Sequence, residues 1–143
     1  MNSKYFLLLI LISFSSVSAE VTLVFREGHF MNQYHHDIYI DSGQYIYIDD
    51  HFKLDKESKW IPSVPILKAK VLNASEQENI INSLLELGVN NWAPKYPVDD
   101  NALLCDGLSF TFYLRSAKLN ILSSGGCRFP PNYEKVRELL ESL

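Results

Sequence analysis

What this sequence is short of narrows the field before any motif is read. It holds only 2 cysteines and 6 glycines in 143 residues. Neither cysteine belongs to a C-x-x-C pair or a Cys/His ligand set, which argues against dithiol redox chemistry and a structural zinc site. There is no G-x-S-x-G turn to expose a nucleophile and no H-E-x-x-H helix. The Gly-rich stretch Ser123-Ser124-Gly125-Gly126 lacks the lysine of a phosphate loop and reads as a strand exit. Lys and Arg number 13 against 17 acids, interspersed along the chain, so the basic stripe of a nucleic-acid binder is missing. No linker or internal repeat divides the chain.

Long apolar runs are scarce as well, and the one that exists is at the start. Lys4 is followed by Tyr5 to Ile12, then by a Ser-rich stretch ending Val17-Ser18-Ala19. A charged start, an apolar centre and a small-residue site predict a secretory signal peptide over residues 1–19. Ser13, Ser15, Ser16 and Ser18 break the run short of the roughly 20 residues a membrane anchor needs. The expected product is a single domain over residues 20–143, secreted or periplasmic and without a transmembrane anchor. Its net charge is one unit more negative than the −4 of the full chain, because the leader carries Lys4 and no acid. In an oxidising compartment Cys105 and Cys127 are expected to form a disulfide.

Within that domain, apolar residues at 21, 23 and 25 alternate as in a half-buried strand. Alternation returns over 35–40 and 44–49, on either side of Asp41-Ser42-Gly43, and predicts a β-hairpin. A three-residue loop with Gly43 in the left-handed region would pair 40 with 44 and gather Ile38, Ile40, Ile46 and Ile48 on one face. The opposite face would then carry His35, Asp37, Tyr39, Tyr45, Tyr47 and Asp49. Residues 50–63 read as a loop, and 67–71 as a strand with Lys68 and Lys70 outward at a sheet edge.

Ser75-Glu76-Gln77-Glu78 has the form of a capping box, and the helix it opens should end at Gly88. Residues 89–104 read as irregular, with Trp92 here and Trp60 in the earlier loop expected as buried plugs that tie these segments to the sheet. A second hairpin is expected over 108–114 and 118–122, with a two-residue turn that sets Phe112 opposite Ile121 and brings the two cysteines together. Pro130-Pro131 then leads a last helix lined by Tyr133, Val136, Leu139, Leu140 and Leu143. The predicted architecture is α+β: an antiparallel sheet of five or six strands built from two hairpins, with two amphipathic helices on one face.

The order of hairpin, Ser-Glu-x-Glu helix, aromatic and Pro-rich segment, Cys105-Asp106-Gly107 entering a second hairpin and a Pro-led terminal helix resembles a group of small exported bacterial domains of unknown function, over most of residues 33–143. The resemblance implies an exported bacterial setting and brings no activity or cofactor with it.

The hairpin face is the most distinctive surface. Tyrosines offer an apolar ring and a polar tip, which suits contact with a protein or envelope component, so Tyr39, Tyr45, Tyr47, His35, Asp37 and Asp49 are the expected binding residues of a non-enzymatic module. The competing reading is a metal-binding protein or metal-dependent enzyme, with His35, Asp37 and Asp49 joined by His29 or His51.

Overall fold

Apolar residues at every second position lay down most of the strands. The computed structural model describes residues 20–29, 34–50, 52–57, 59–97 and 107–143. In it, β1 (Thr22–His29), β2 (Tyr34–Asp41), β3 (Gln44–Asp50), β6 (Ile66–Val71), β7 (Lys95–Tyr96), β8 (Leu108–Arg115) and β9 (Asn120–Gly126) form one sheet in the order β6-β3-β2-β1-β8-β9-β7. All neighbours are antiparallel except β7 and β9, which run parallel. The helices are α1 (Ala74–Glu86) and α2 (Tyr133–Glu141). The fold is α+β as expected, with seven strands in the sheet rather than five or six. The stretch read as a loop contains a separate ribbon, β4 (Phe52–Leu54) paired with β5 (Trp60–Pro62).

The register of β2 on β3 departs from the expectation and changes which side chains are buried. Asp41 pairs with Gln44, Ile40 with Tyr45 and Ile38 with Tyr47. The turn therefore has two residues, and both Ser42 (φ 49°) and Gly43 (φ 75°) are left-handed, the geometry that matches the twist of paired strands. Every side chain of β3 is thereby moved to the face opposite the one expected. Tyr45 and Tyr47 join Ile38 and Ile40 in the core, while Ile46 and Ile48 stand on the other face with Asp37 and Tyr39. The rings win because each removes a large apolar surface from water, and the Tyr45 hydroxyl donates to the Leu140 carbonyl at 2.8 Å.

The core is largely aromatic. Leu23 and Phe25 of β1, Ile38 and Ile40 of β2, and Phe110, Phe112 and Leu114 of β8 are buried together with Ile80, Ile81 and Leu84 of α1 and Tyr133, Val136 and Leu140 of α2. The Tyr133 ring lies 4.9 Å from that of Phe110 and 5.8 Å from that of Phe25. Trp92 is buried as expected, 5.0 Å from Phe112, with its indole N–H on the Pro131 carbonyl at 3.1 Å. Such ring pairs add about 0.5–1.5 kcal/mol each beyond burial.

Three further local expectations are adjusted. The capping box of α1 is formed by Asn73 and Glu76, two residues upstream of the Ser75/Glu78 pair: Asn73 Oδ1 accepts from the Glu76 amide at 2.9 Å and Glu76 accepts from the Asn73 amide at 2.8 Å. The Asn73 amide, followed by Lys70, holds the Glu76 carboxyl below its usual range. Gly88, at φ 80°, follows the helix end as expected. The β8–β9 turn keeps two residues but sits one position later, at Ala117-Lys118: the Ser116 amide donates to the Leu119 carbonyl at 2.8 Å, and Ser116 Oγ accepts from the amides of Lys118 and Leu119. Arg115 thus meets Asn120, and Phe112 meets Ser123 rather than Ile121. A shift of two keeps the faces, so Phe110, Phe112 and Leu114 still point inward. Ser123 and Gly125 lie within β9 rather than in a strand exit, and Ser123 Oγ donates to the Ala93 carbonyl at 2.7 Å.

Gly125 is required by close approach. A Cβ there would sit 2.6 Å from the Arg128 carbonyl, 2.7 Å from the Phe110 ring and 2.9 Å from Tyr96 Cβ. Gly125→Ala should lower stability by about 1–3 kcal/mol through overpacking. Gly28→Ala, where the nearest atom would be 3.5 Å away, should stay within about 1 kcal/mol of neutral. Urea unfolding of the two variants checks the contrast, which equal losses would contradict.

Candidate functional site

Two polar clusters lie on opposite faces of the sheet, back to back along β1. On one face, Glu27 continues the inward phase of Leu23 and Phe25, and His36 continues that of Ile38 and Ile40. Each is 1% exposed, and they face one another across the β1–β2 pair. The Glu27 carboxylate accepts from the Tyr133 hydroxyl and lies 3.2 Å from His36 Nδ1, with Arg137 Nη1 at 3.9 Å. Glu141 stands 3.7 Å from His36 Nδ1 and 3.5 Å from Arg137 Nε.

A carboxylate only accepts, so the imidazole proton sits on Nδ1. Nε2 is left buried with no hydrogen-bond partner among the described residues. The centre of the His36 ring lies 5.1–6.4 Å from those of Phe25, Tyr34 and Tyr47. The cluster satisfies a buried acid by tying β1 and β2 to α2. Burial, then the hydrogen bond to Glu27, raises the Tyr133 hydroxyl far above the ordinary phenol range. Burial, then Glu27 and Asp49, does the same to Tyr34. Composition does not single out Glu27 and His36, but their phase does, since both fall on the apolar parity of their strands.

On the other face lie Arg26, Asp37 and Tyr39. Here Arg26 Nη2 donates to the Tyr39 hydroxyl at 2.7 Å, and that hydroxyl donates to Asp37 Oδ2 at 2.8 Å. The guanidinium also lies over the Tyr39 ring at 5.3 Å. Burial, then the bond to Asp37, raises the Tyr39 hydroxyl. Beside this trio a depression of about 300 Å³ is lined by Arg26, Gly28, His35, Asp37, Ser109 and Thr111 among others. Arg26 and Asp37 pair across β1 and β2, as do Gly28 and His35, so the register itself assembles this dish.

Of the residues read as one binding face, His35, Asp37 and Tyr39 do share a face. Tyr45 and Tyr47 are corrected to the core by the two-residue turn, and Asp49 moves with them, opposite His36. The metal set fails for the same reason, since Asp49 is on the opposite face from His35 and Asp37. Among the described residues no three His, Cys, Asp or Glu side chains are arranged to hold a metal ion, and His51 lies outside them. Cys105 also lies outside the described residues. The Cys127 amide donates to the Leu108 carbonyl at 3.0 Å, two residues off the expected register with Asp106. Among the described residues no helix is long and apolar enough to cross a membrane.

Comparison with protein-family models, curated proteins and solved structures returns no match to this chain. The function is therefore argued from residues alone.

Glu27→Ala should cost about 3–5 kcal/mol in urea unfolding, by leaving Arg137 and the His36 imidazole beside an empty acceptor site. A loss under about 1 kcal/mol would show that the cluster contributes little. The tyrosines give a separate signature in alkali. Burial, then Tyr47 and Glu141, pushes the Tyr45 hydroxyl up to about 12, against about 10 for a free phenol. The unfolded chain loses this proton first, so the stabilisation is complete below pH of about 10 and fades as pH rises through about 12. Tyr45→Phe should lower stability by about 1 kcal/mol at neutral pH and flatten its decline over that alkaline window. Denaturation midpoints measured across it decide, and an unchanged slope would refute the assignment.

Proposed function

We propose that residues 20–143 act as an exported, non-enzymatic binding domain that meets a protein or envelope component through the open face of the sheet. We read both helices as covering the opposite face, residues 1–19 as the export signal, and Cys105–Cys127 as a disulfide closing the open end of the β8–β9 hairpin. The observation that carries the reading is one row of side chains. Ala69, Ile46, Tyr39, Val24, Tyr113 and Leu122 lie side by side across six strands. Leu122 is 61% exposed and Tyr39 and Tyr113 are half-buried, so apolar surface and two phenols face outward together. An antiparallel sheet with one face in water ordinarily carries polar residues there, and a continuous apolar row rimmed by charge suits a partner.

Arg26, Asp37 and Tyr39 supply the specificity. Their hydrogen bonds hold one donor, one acceptor and one ring in a fixed arrangement beside the Gly28 depression, which limits the entropy lost on docking. Arg and Tyr are also the residue types that most often dominate interfaces.

The test compares what the exported protein captures from envelope extract with what Tyr39→Ala and Arg26→Ala capture. Each truncation should weaken binding of the retained component by about 2 kcal/mol, near thirty-fold in Kd, while Lys135→Ala on α2 leaves it unchanged. Equal capture by all four proteins would remove the proposal.

A further inference from the structure

The open face ends at β6, and this edge has a feature the face alone does not explain. Among the described residues, five large hydrophobic side chains are prominently exposed, and four of them, Val64, Ile66, Leu67 and Val71, lie on or beside this strand. Leu67 is 68% and Val71 79% exposed. No described strand pairs with the outer side of β6. Edge strands are commonly guarded by lysines projecting past the edge. Lys68 and Lys70 are committed elsewhere: Lys68 Nζ lies 4.6 Å from the centre of the Tyr47 ring, and Lys70 Nζ lies 3.0 Å from Glu76 Oε1.

The hydrogen-bond phase of the edge follows from one contact. The Leu72 amide donates to the Gly43 carbonyl at 2.7 Å, and the register continues with Lys70 opposite Tyr45 and Lys68 opposite Tyr47. In an antiparallel pair the bonded positions alternate, so Ile66, Lys68 and Lys70 spend their backbone groups on β3. Leu67, Ala69 and Val71 turn theirs outward.

We propose that this edge pairs with β6 of a second copy of the same chain, antiparallel about a two-fold axis at Ala69. This register is self-complementary. Ala69 meets Ala69 of the second copy and Leu67 meets its Val71, so all three outward residues pair and each pair exchanges both backbone bonds. The two most exposed residues of the strand then cover one another on the open face. On the helix side, Lys68 falls opposite Lys70 of the other copy, whose charge Glu76 already offsets. A two-fold at Lys68 instead sets Lys68, which among the described residues has the Tyr47 ring beside it and no acid like Glu76, against Lys68 of the other copy, and leaves one outward residue unpaired. Charge and hydrogen bonding therefore select the same register and disfavour an unguarded polymer, because a two-fold pair consumes both edges. The two sheets become one, and their apolar rows run on across the axis. This proposal does not rest on the open face being a binding surface.

Sedimentation equilibrium of the protein expressed from the full chain should give a monomer–dimer equilibrium at micromolar concentrations. Ala69→Pro removes an outward amide and none of the β3 ladder, so it should weaken dimerisation about tenfold or more while leaving the far-UV circular dichroism unchanged. Val71→Glu should weaken it similarly, and adding Leu67→Lys to Val71→Glu should restore it, because the new charges face one another across the axis only in this register. A monomer at every concentration overturns the proposal, including one that instead takes up an unrelated extended peptide. So does a dimer indifferent to Ala69→Pro, or a double variant as weak as Val71→Glu alone.

Discussion

The left-handed conformation of both Ser42 and Gly43 is the constraint on which the rest of the molecule depends. It sets a two-residue turn, the turn sets the pairing of β2 with β3, and that pairing decides that tyrosines rather than isoleucines of β3 enter the core. The consequence reaches α2, because the Tyr45 hydroxyl ends on the Leu140 carbonyl in the last turn of that helix. A helix C-terminus has carbonyls with no intrahelical donor, and a buried phenol meets one of them here. Gly43 is packed as well as turned: a Cβ on it would approach the Leu72 carbonyl at 3.2 Å and Gln77 Nε2 at 3.3 Å.

The same strand phase explains the buried acid. Once the sheet's inner face is set, Glu27 and His36 have no route to solvent, and a lone charge there would be expensive. Their answer is a set that spans β1, β2 and α2, with the Tyr133 hydroxyl, His36 Nδ1 and Arg137 converging on one carboxylate. Tyr133 belongs to both halves of the core, since its ring packs on Phe25 and Phe110 while its hydroxyl closes the polar set. Aromatic packing and polar satisfaction therefore position α2 together.

How far the chain could be read from its residues varies with the kind of signal. Alternation located the main strands, and the 3.6-residue stripes located both helices and their buried sides, because those patterns report burial directly. Gly88 was legible as a helix end and Trp92 as a buried plug. The turns were harder. Ser-Gly is a weaker left-handed signal than Asn-Gly, so the first hairpin's register hung on a preference for burying isoleucine over tyrosine, and the larger rings prevailed. Asn73 and Ser75 are both competent caps with an acid three residues on; the proximity of Lys70 to Glu76 favours the earlier one. Ser116 moved the second turn one residue along through side-chain bonds that spacing does not reveal. The candidate site was half legible for the same reason: residues of β2 kept their face, and residues of β3 changed it.

What the tyrosines vacated, the isoleucines filled. With Tyr45 and Tyr47 inward, Ile46 and Ile48 extend the outer apolar row toward the edge, where Ala69 and Leu67 continue it. Had Ile46 and Ile48 been buried instead, the outer face would have ended in two phenols and an acid, a surface content in water. The turn at Ser42-Gly43 thus makes the core aromatic and the open face apolar in one step. An apolar sheet face that reaches an unguarded edge is a hazard for a free monomer. In the proposed binding role, the apolar row supplies contact area and the hydrogen-bonded Arg26–Tyr39–Asp37 trio supplies direction.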